Sequence, residues 1–174
     1  MVPDDADEAP EARPPLLGDL VALCRDLNAA GAAYVVIGGM AVIQAGFPRA
    51  TGDIDLLIDI SPTNQERVRR ALMKLQDQAV RDVAPDDLDR YAVVRVADEI
   101  VVDLMKAACG IAYEEARRHV DIVEIDGVPI PFANPELLLR MKDTYREKDK
   151  LDRAFLALLV DQRKKRSQAA TRTC

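Results

Sequence analysis

Tryptophan is absent, and only 4% of the 174 residues are aromatic. The three Phe and four Tyr are not clustered, so the chain lacks the row of base-stacking platforms common in single-strand nucleic-acid binders. Three cysteines, Cys24, Cys109 and Cys174, make an odd count without CxxC spacing, which argues against a disulfide or zinc framework and for a reducing cytoplasm. The single histidine, His119, has no neighbour that suggests catalysis and reads as a surface or strand-edge residue. No apolar run approaches the ~18 residues that span a bilayer, so no membrane association is expected. Residues 1–15 are acidic and proline-rich, with no basic start and no apolar stretch; they read as a disordered leader, not a secretory signal.

Charge is plentiful but uneven. The net charge is -6, which argues against a surface coated in non-specific DNA contacts. Acids crowd residues 1–11, whereas Arg163, Lys164, Lys165, Arg166 and Arg172 crowd the other end, expected to be a flexible basic tail that is either solvated or in contact with RNA phosphates or a partner.

Between the termini the pattern alternates. Leu16, Leu20, Leu23, Cys24 and Leu27 recur at helical spacing up to Gly31, with Cys24 in the core. Tyr34–Ile37 reads as a buried strand, Gly38-Gly39 breaks it, and a short helix follows over 40–45. Residues 53–60 read as a strand with Ile54, Leu56, Ile58 and Ile60 on one side and Asp53, Asp55, Leu57 and Asp59 on the other. Ser61-Pro62 starts a helix. Strands are expected over 91–97 and 100–105, then a short helix over 113–118, then a hairpin turning at Asp126-Gly127. Asn134-Pro135 opens a long helical region with Leu138, Met141, Tyr145, Leu151, Phe155 and Leu159 on one face. The expected fold is α/β (α+β): a small mixed sheet flanked by helices, with a C-terminal helical region. The expected divisions are a leader 1–15, a core 16–133, helices 134–162 packed on that core, and a tail 163–174.

Asp53 and Asp55 are two apart on a strand and so project to one face. Burying them unpaired would cost several kcal/mol, roughly, and a divalent cation removes that penalty; oxygen ligands suit Mg²⁺, with Mn²⁺ as the alternative. Asp103 interrupts the apolar run 101–105 and is the candidate third ligand on a neighbouring strand. Gly38 and Gly39 would let backbone N–H groups approach phosphates.

Strand, Gly-Gly, short helix, Arg-x-Thr-x-Asp-x-Asp and a third strand aspartate together resemble the polymerase-β-like nucleotidyltransferase superfamily. Residues 38–56, GGMAVIQAGFPRATGDIDL, are similar to its AbiEii and MenT-type toxin branch. Lys142, Arg146, Lys148, Asp149 and Asp152 are similar to the Lys-x3-Arg-x-Lys-Asp-x2-Asp helix of that branch. The resemblance implies transfer of a nucleoside monophosphate from an NTP to an acceptor hydroxyl, with pyrophosphate released. Asp53, Asp55 and Asp103 would hold metal, with Asp103 also helping to remove the acceptor proton. Gly38 and Gly39 would cradle phosphates. Lys142 and Arg146 would grip triphosphate oxygens, with Asp149 orienting one of them. Arg49 and Thr51 would touch nucleotide or order their loop. The acceptor is tRNA, a protein or a small molecule such as an aminoglycoside, and a cognate antitoxin is a further partner to look for. Against these stand plainer roles: a solvated strand face for the acids, a tight turn for the glycines, surface ion pairs for 142–152, and an inactive antitoxin or interaction module for the whole chain.

Overall fold

A computed structural model describes residues 11–142 and 147–171. Among them, α1 (Leu17–Ala29) leads into β1 (Tyr34–Ile37), α2 (Gly38–Gln44), β2 (Asp53–Ile58) and α3 (Pro62–Leu72). A single 3₁₀ turn and the short α4 (Asp87–Arg90) precede β3 (Val93–Ala97) and β4 (Val101–Met105). The two-residue strands β5 (Ala107–Ala108) and β6 (Ile111–Ala112) pair with each other, followed by α5 (Tyr113–Ala116). The hairpin β7 (Val120–Ile125) and β8 (Val128–Ala133) then leads to α6 (Pro135–Met141) and α7 (Glu147–Thr171).

Six of these strands form one mixed sheet in the order β3-β4-β2-β1-β8-β7. The central β2 runs antiparallel to β1 and parallel to β4, and β1 runs parallel to β8. A parallel neighbour requires a crossover, and α3 lies in the one between β2 and β4. β1, with all four residues buried, and the alternating β2 lie at the centre, so apolar side chains fill one face of β2 while its acids take the other. Ile54, Leu56 and Ile58 are fully buried, and Leu56 and Ile54 sit level with Leu104 and Val102 of β4.

Local chemistry explains several ends. Ser61 Oγ accepts the Asn64 N–H at α3, and Asn134 Oδ1 accepts the Leu137 N–H at α6, each with proline at the first helical position. Asp126 (φ +50°) and Gly127 (φ +74°) both adopt left-handed backbone, the pairing a two-residue hairpin turn demands. Cys24 is in the core as its spacing indicates, where burial pushes its thiol up to about 12.

Three expectations change. The basic segment from residue 163 is helical through Thr171, not a separate tail. Arg, Lys, Gln and Ala are good helix formers, Lys165 pairs with Asp161 one turn away at 2.8 Å, and Arg163 reaches Asp121 at 3.2 Å. The leader is tied down from residue 13: the Arg13 N–H donates to the Glu99 carbonyl at 3.0 Å, and its guanidinium pairs with Asp19 at 2.7 Å. Residues 1–10 and 172–174, Tyr145 and Arg146, and the side chain of Lys148, lie outside the described residues. Finally, the inner face of α7 runs through Asp149, Asp152, Leu156 and Val160, whereas Leu151 is 68% exposed. Residues 149, 152, 156 and 160 obey helical spacing as well as the apolar set does, and buried charges won the inner position at the start of α7.

No helix among the described residues is long and apolar enough to cross a membrane.

Candidate functional site

The β2–β4 register sets Asp55 directly beside Asp103, with Asp53 two residues back on the same face. One oxygen from each of Asp53, Asp55 and Asp103 lies within 4.8 Å of the others. A cation with bonds of about 2.1 Å would close such a span with small side-chain rotations. The donor set, three carboxylates without nitrogen or sulfur, fits a hard divalent ion such as Mg²⁺ or Mn²⁺.

Crowding of like charge shows on Asp55. Burial first, then the charges of Asp53 and Asp103, push its carboxyl up to about 6, against the opposing pull of Lys142 and of the Gly39 N–H that it accepts. An acid held this far from its ordinary value, inside a cavity, is a common mark of a functional site.

The glycines make the acids' position reachable. A Cβ on Gly38 would lie 2.0 Å from Oδ2 of Asp55, and Gly38 has φ +64°, so its backbone both turns and presses against the carboxylate. A Cβ on Gly39 would lie 2.4 Å from Oγ1 of Thr51. Gly-Gly therefore lets the start of α2 lie directly on β2. Thr51 donates from its hydroxyl to the Asp53 carbonyl at 3.2 Å and so braces the entry to the acidic strand.

A second charge cluster forms one wall. Lys142 Nζ donates to Asp149 at 2.9 Å and contacts Asp152 at 3.0 Å, and Arg49 pairs with the same carboxylate of Asp152. All four are largely buried, Asp152 to 2% side-chain exposure. The cluster joins the loop before β2 to α6 and α7, helped by Phe47 stacked on Phe155 at 5.0 Å. Lys142 and Asp149 do not share one continuous helix as the i, i+7 spacing suggests: Lys142 caps the end of α6 outside helical geometry, and Asp149 lies in the first turn of α7. They meet because the two helices pack together.

Gly38, Gly39, Arg49, Thr51, Asp53, Asp55, Asp103, Lys142 and Asp149 all line one cavity of about 740 Å³. Arg146, the other residue singled out in the sequence, lies outside the described residues. The volume falls in the range of small-molecule sites, roughly 300–1,000 Å³. A second cavity, about 840 Å³, lies among α3, α4 and the other face of β2 and β4, walled by Ile58, Val68, Leu88 and Leu104. Among the described residues its acids form no group that could hold a metal ion, so size alone does not make it the site of chemistry.

Two residues escape the sequence reading. Arg95 on β3 faces Asp103 across the antiparallel β3–β4 pair and donates to both its oxygens, Nε at 2.9 Å and Nη2 at 2.8 Å; Nη2 also reaches Asp53 at 3.3 Å. The signal was available, because a tight turn at Asp98–Ile100 sets Ala97 opposite Val101 and hence Arg95 opposite Asp103. Asp98, buried in that turn, accepts N–H groups from Asp77, Ala79 and Glu99 at 2.8–2.9 Å. It ties the β3–β4 turn to the segment 77–79 that precedes β3.

His119 is exposed and does not line this cavity. Cys109 donates its thiol to the Met141 carbonyl at 3.1 Å. Asp59 accepts from Ser61 beyond the end of β2 and takes no part in the trio. No protein-family model matches the chain, and no curated protein matches it.

Proposed function

We propose that this protein is a metal-dependent nucleotidyltransferase that moves a nucleoside monophosphate from an NTP to an acceptor hydroxyl. The observation that carries the reading is the convergence of Asp53, Asp55 and Asp103 from adjacent parallel strands onto one point in a nucleotide-sized cavity. A divalent cation bound there would supply the positive charge that offsets the triphosphate and lines up attacking and leaving oxygens. Asp53, Asp55 and Asp103 would hold it, and Asp103 would also accept the proton of the attacking hydroxyl. The acceptor oxygen forms a bond to the α-phosphorus as the bond to the bridging β-phosphate oxygen breaks, and pyrophosphate leaves.

The chain's own cations fit the anionic side of this chemistry. Lys142 is fixed by Asp149 and Asp152, lines the same cavity as the acids and pulls electrostatically on Asp55, which supports it as a contact for phosphate oxygens. Arg49 is engaged with Asp152, which favours its loop-ordering role over direct nucleotide contact. Gly38 and Gly39 line the same cavity, which supports a phosphate-side role for their backbone, with the Gly39 N–H already given to Asp55. We assign tRNA as the leading acceptor on the toxin-like resemblance alone; a protein or a cationic small molecule would suit the net charge of -6 better. The same resemblance carries the search for a cognate antitoxin.

The test is incubation with labelled NTPs and Mg²⁺ against total RNA, protein and aminoglycoside pools. Labelling of one pool, lost in Asp55→Ala, supports the reading. No labelling of any pool, with Asp55→Ala indistinguishable from wild type in Mg²⁺-dependent nucleotide binding, would leave an interaction module instead.

A further inference from the structure

We infer that Arg95 is an internal stand-in for the divalent cation, closing the carboxylate trio when no ion is bound and yielding its place when one enters. The inference rests on the reading of Asp53, Asp55 and Asp103 as a metal site and adds a competitor to it.

The guanidinium spends its planar fork on both oxygens of Asp103 and extends the same Nη2 to Asp53. Two of the three proposed ligands are therefore already satisfied by a cation of the chain's own. Asp103 is buried, so its charge needs a partner in every state of the protein. With an ion at the centre of the trio, a guanidinium in its present position would face a second positive charge at contact distance, while competing for the same lone pairs. The two occupants exclude one another.

The way out is built in. Arg95 stands on β3, the edge strand of the sheet, and its side chain is 60% exposed although its target is 6% exposed. Val94 and Val96 on either side point inward and are buried, so the strand holds its place when the Arg95 side chain swings away. No core contact has to break. The guanidinium also lines the cavity of about 740 Å³, so displacement leaves a positive group at its wall. Electrostatically the arrangement keeps three acids tolerable in the ion-free protein and lowers the affinity for a bare ion.

The experiment is a calorimetric titration of the full chain with Mn²⁺, in wild type, Arg95→Gln and Arg95→Lys, with melting temperatures in chelator alongside. Removing the competitor should tighten Mn²⁺ binding by roughly tenfold, a figure discounted for the exposure of the arginine. Lysine, which keeps charge but lacks the fork, should fall between. Arg95→Gln should melt lower than wild type in chelator and recover in Mn²⁺. A merely structural role would weaken metal binding when lost, so the direction of change separates the two. Equal or weaker Mn²⁺ binding in folded Arg95→Gln overturns the inference and leaves the metal site standing. Should Arg95→Gln not fold, the Nε–H resonance of Arg95 in wild type decides: it should shift and lose exchange protection on adding Mg²⁺, and an unmoved signal in ion-loaded protein overturns the inference. No Mn²⁺ bound to any of the three proteins overturns the metal reading itself, and Arg95 with it.

Discussion

Replacing Gly38 with alanine separates two things that the start of α2 does at once. Gly38 has φ +64° and its useful control Gly31 has φ +69°, both left-handed; a Cβ at Gly31 meets nothing within 4 Å, whereas one at Gly38 meets Oδ2 of Asp55 at 2.0 Å. Both substitutions carry the left-handed backbone penalty of about 1–2 kcal/mol. Only Gly38→Ala must also drive a half-buried carboxylate away by about 1 Å, since carbon and oxygen do not approach so closely. That displacement breaks the hydrogen bond from the Gly39 N–H and pulls Asp55 out of register with Asp103. We assign it a further ~1–2 kcal/mol, the range for disturbing a half-buried hydrogen bond to a carboxylate. For a domain of this size 1 kcal/mol shifts melting by about 2–4 °C, so Gly31→Ala should melt roughly 2–8 °C lower and Gly38→Ala roughly 4–16 °C lower. Mn²⁺ titration then reads the site: Gly31→Ala should bind like wild type, and Gly38→Ala at least ~10-fold more weakly, about 1.4 kcal/mol. Calorimetry on both proteins gives melting and affinity together. Wild-type Mn²⁺ affinity in a folded Gly38→Ala would refute the link between this glycine and the position of Asp55.

Further outcomes follow from other parts of the structure. Asp55, raised to about 6, remains protonated in the fold where the unfolded chain has already ionised; its contribution to stability is complete below about pH 4 and is lost as pH rises through 6, by about 3 kcal/mol. Between pH 4.5 and 7.5 in chelator, the unfolding free energy from denaturant titrations should fall by about 2 kcal/mol more in wild type than in Asp55→Asn, since part of the loss has occurred by pH 4.5, and Mn²⁺ should shrink that difference. Asp152→Ala leaves Arg49 and Lys142 without their shared buried partner and should destabilise by ~3–5 kcal/mol, seen as a lower denaturant midpoint, with weakened nucleotide binding. Asp98→Ala strips three backbone N–H groups of their acceptor and should cost ~3 kcal/mol; in the protein that remains folded, Mn²⁺ affinity should change little, because the hairpin's strands stay paired.

The sequence showed most of what sits on regular elements. The alternation of Ile54, Leu56 and Ile58 with Asp53 and Asp55 made β2 and its acidic face legible, because a strand's period of two leaves little choice once one side is buried. Gly38-Gly39 marked the break after β1, and Asp126-Gly127 marked the hairpin, because both need backbone that other residues resist. Asp103 was legible as the odd member of an apolar run. The parts that were not legible depend on contacts between elements. Asp149 and Asp152 take the inner face at the start of α7 because Lys142 and Arg49 arrive there from other segments, so an apolar count placed Leu151 inside instead. The basic run after residue 162 looked like a tail because its charge is exposed, yet nothing in those residues opposes helix and Asp121 gives Arg163 an anchor. Arg95 required the register of a turn, which composition does not reveal.

The most direct measurement is an anomalous-scattering map from crystals soaked with Mn²⁺ and a non-hydrolysable NTP. A peak within bonding distance of Asp53, Asp55 and Asp103, with triphosphate on the side of Gly38 and Lys142 and the Arg95 guanidinium turned away, is the predicted result. Mn²⁺ bound elsewhere, or the three carboxylates still held by Arg95 beside an ordered nucleotide, would contradict it.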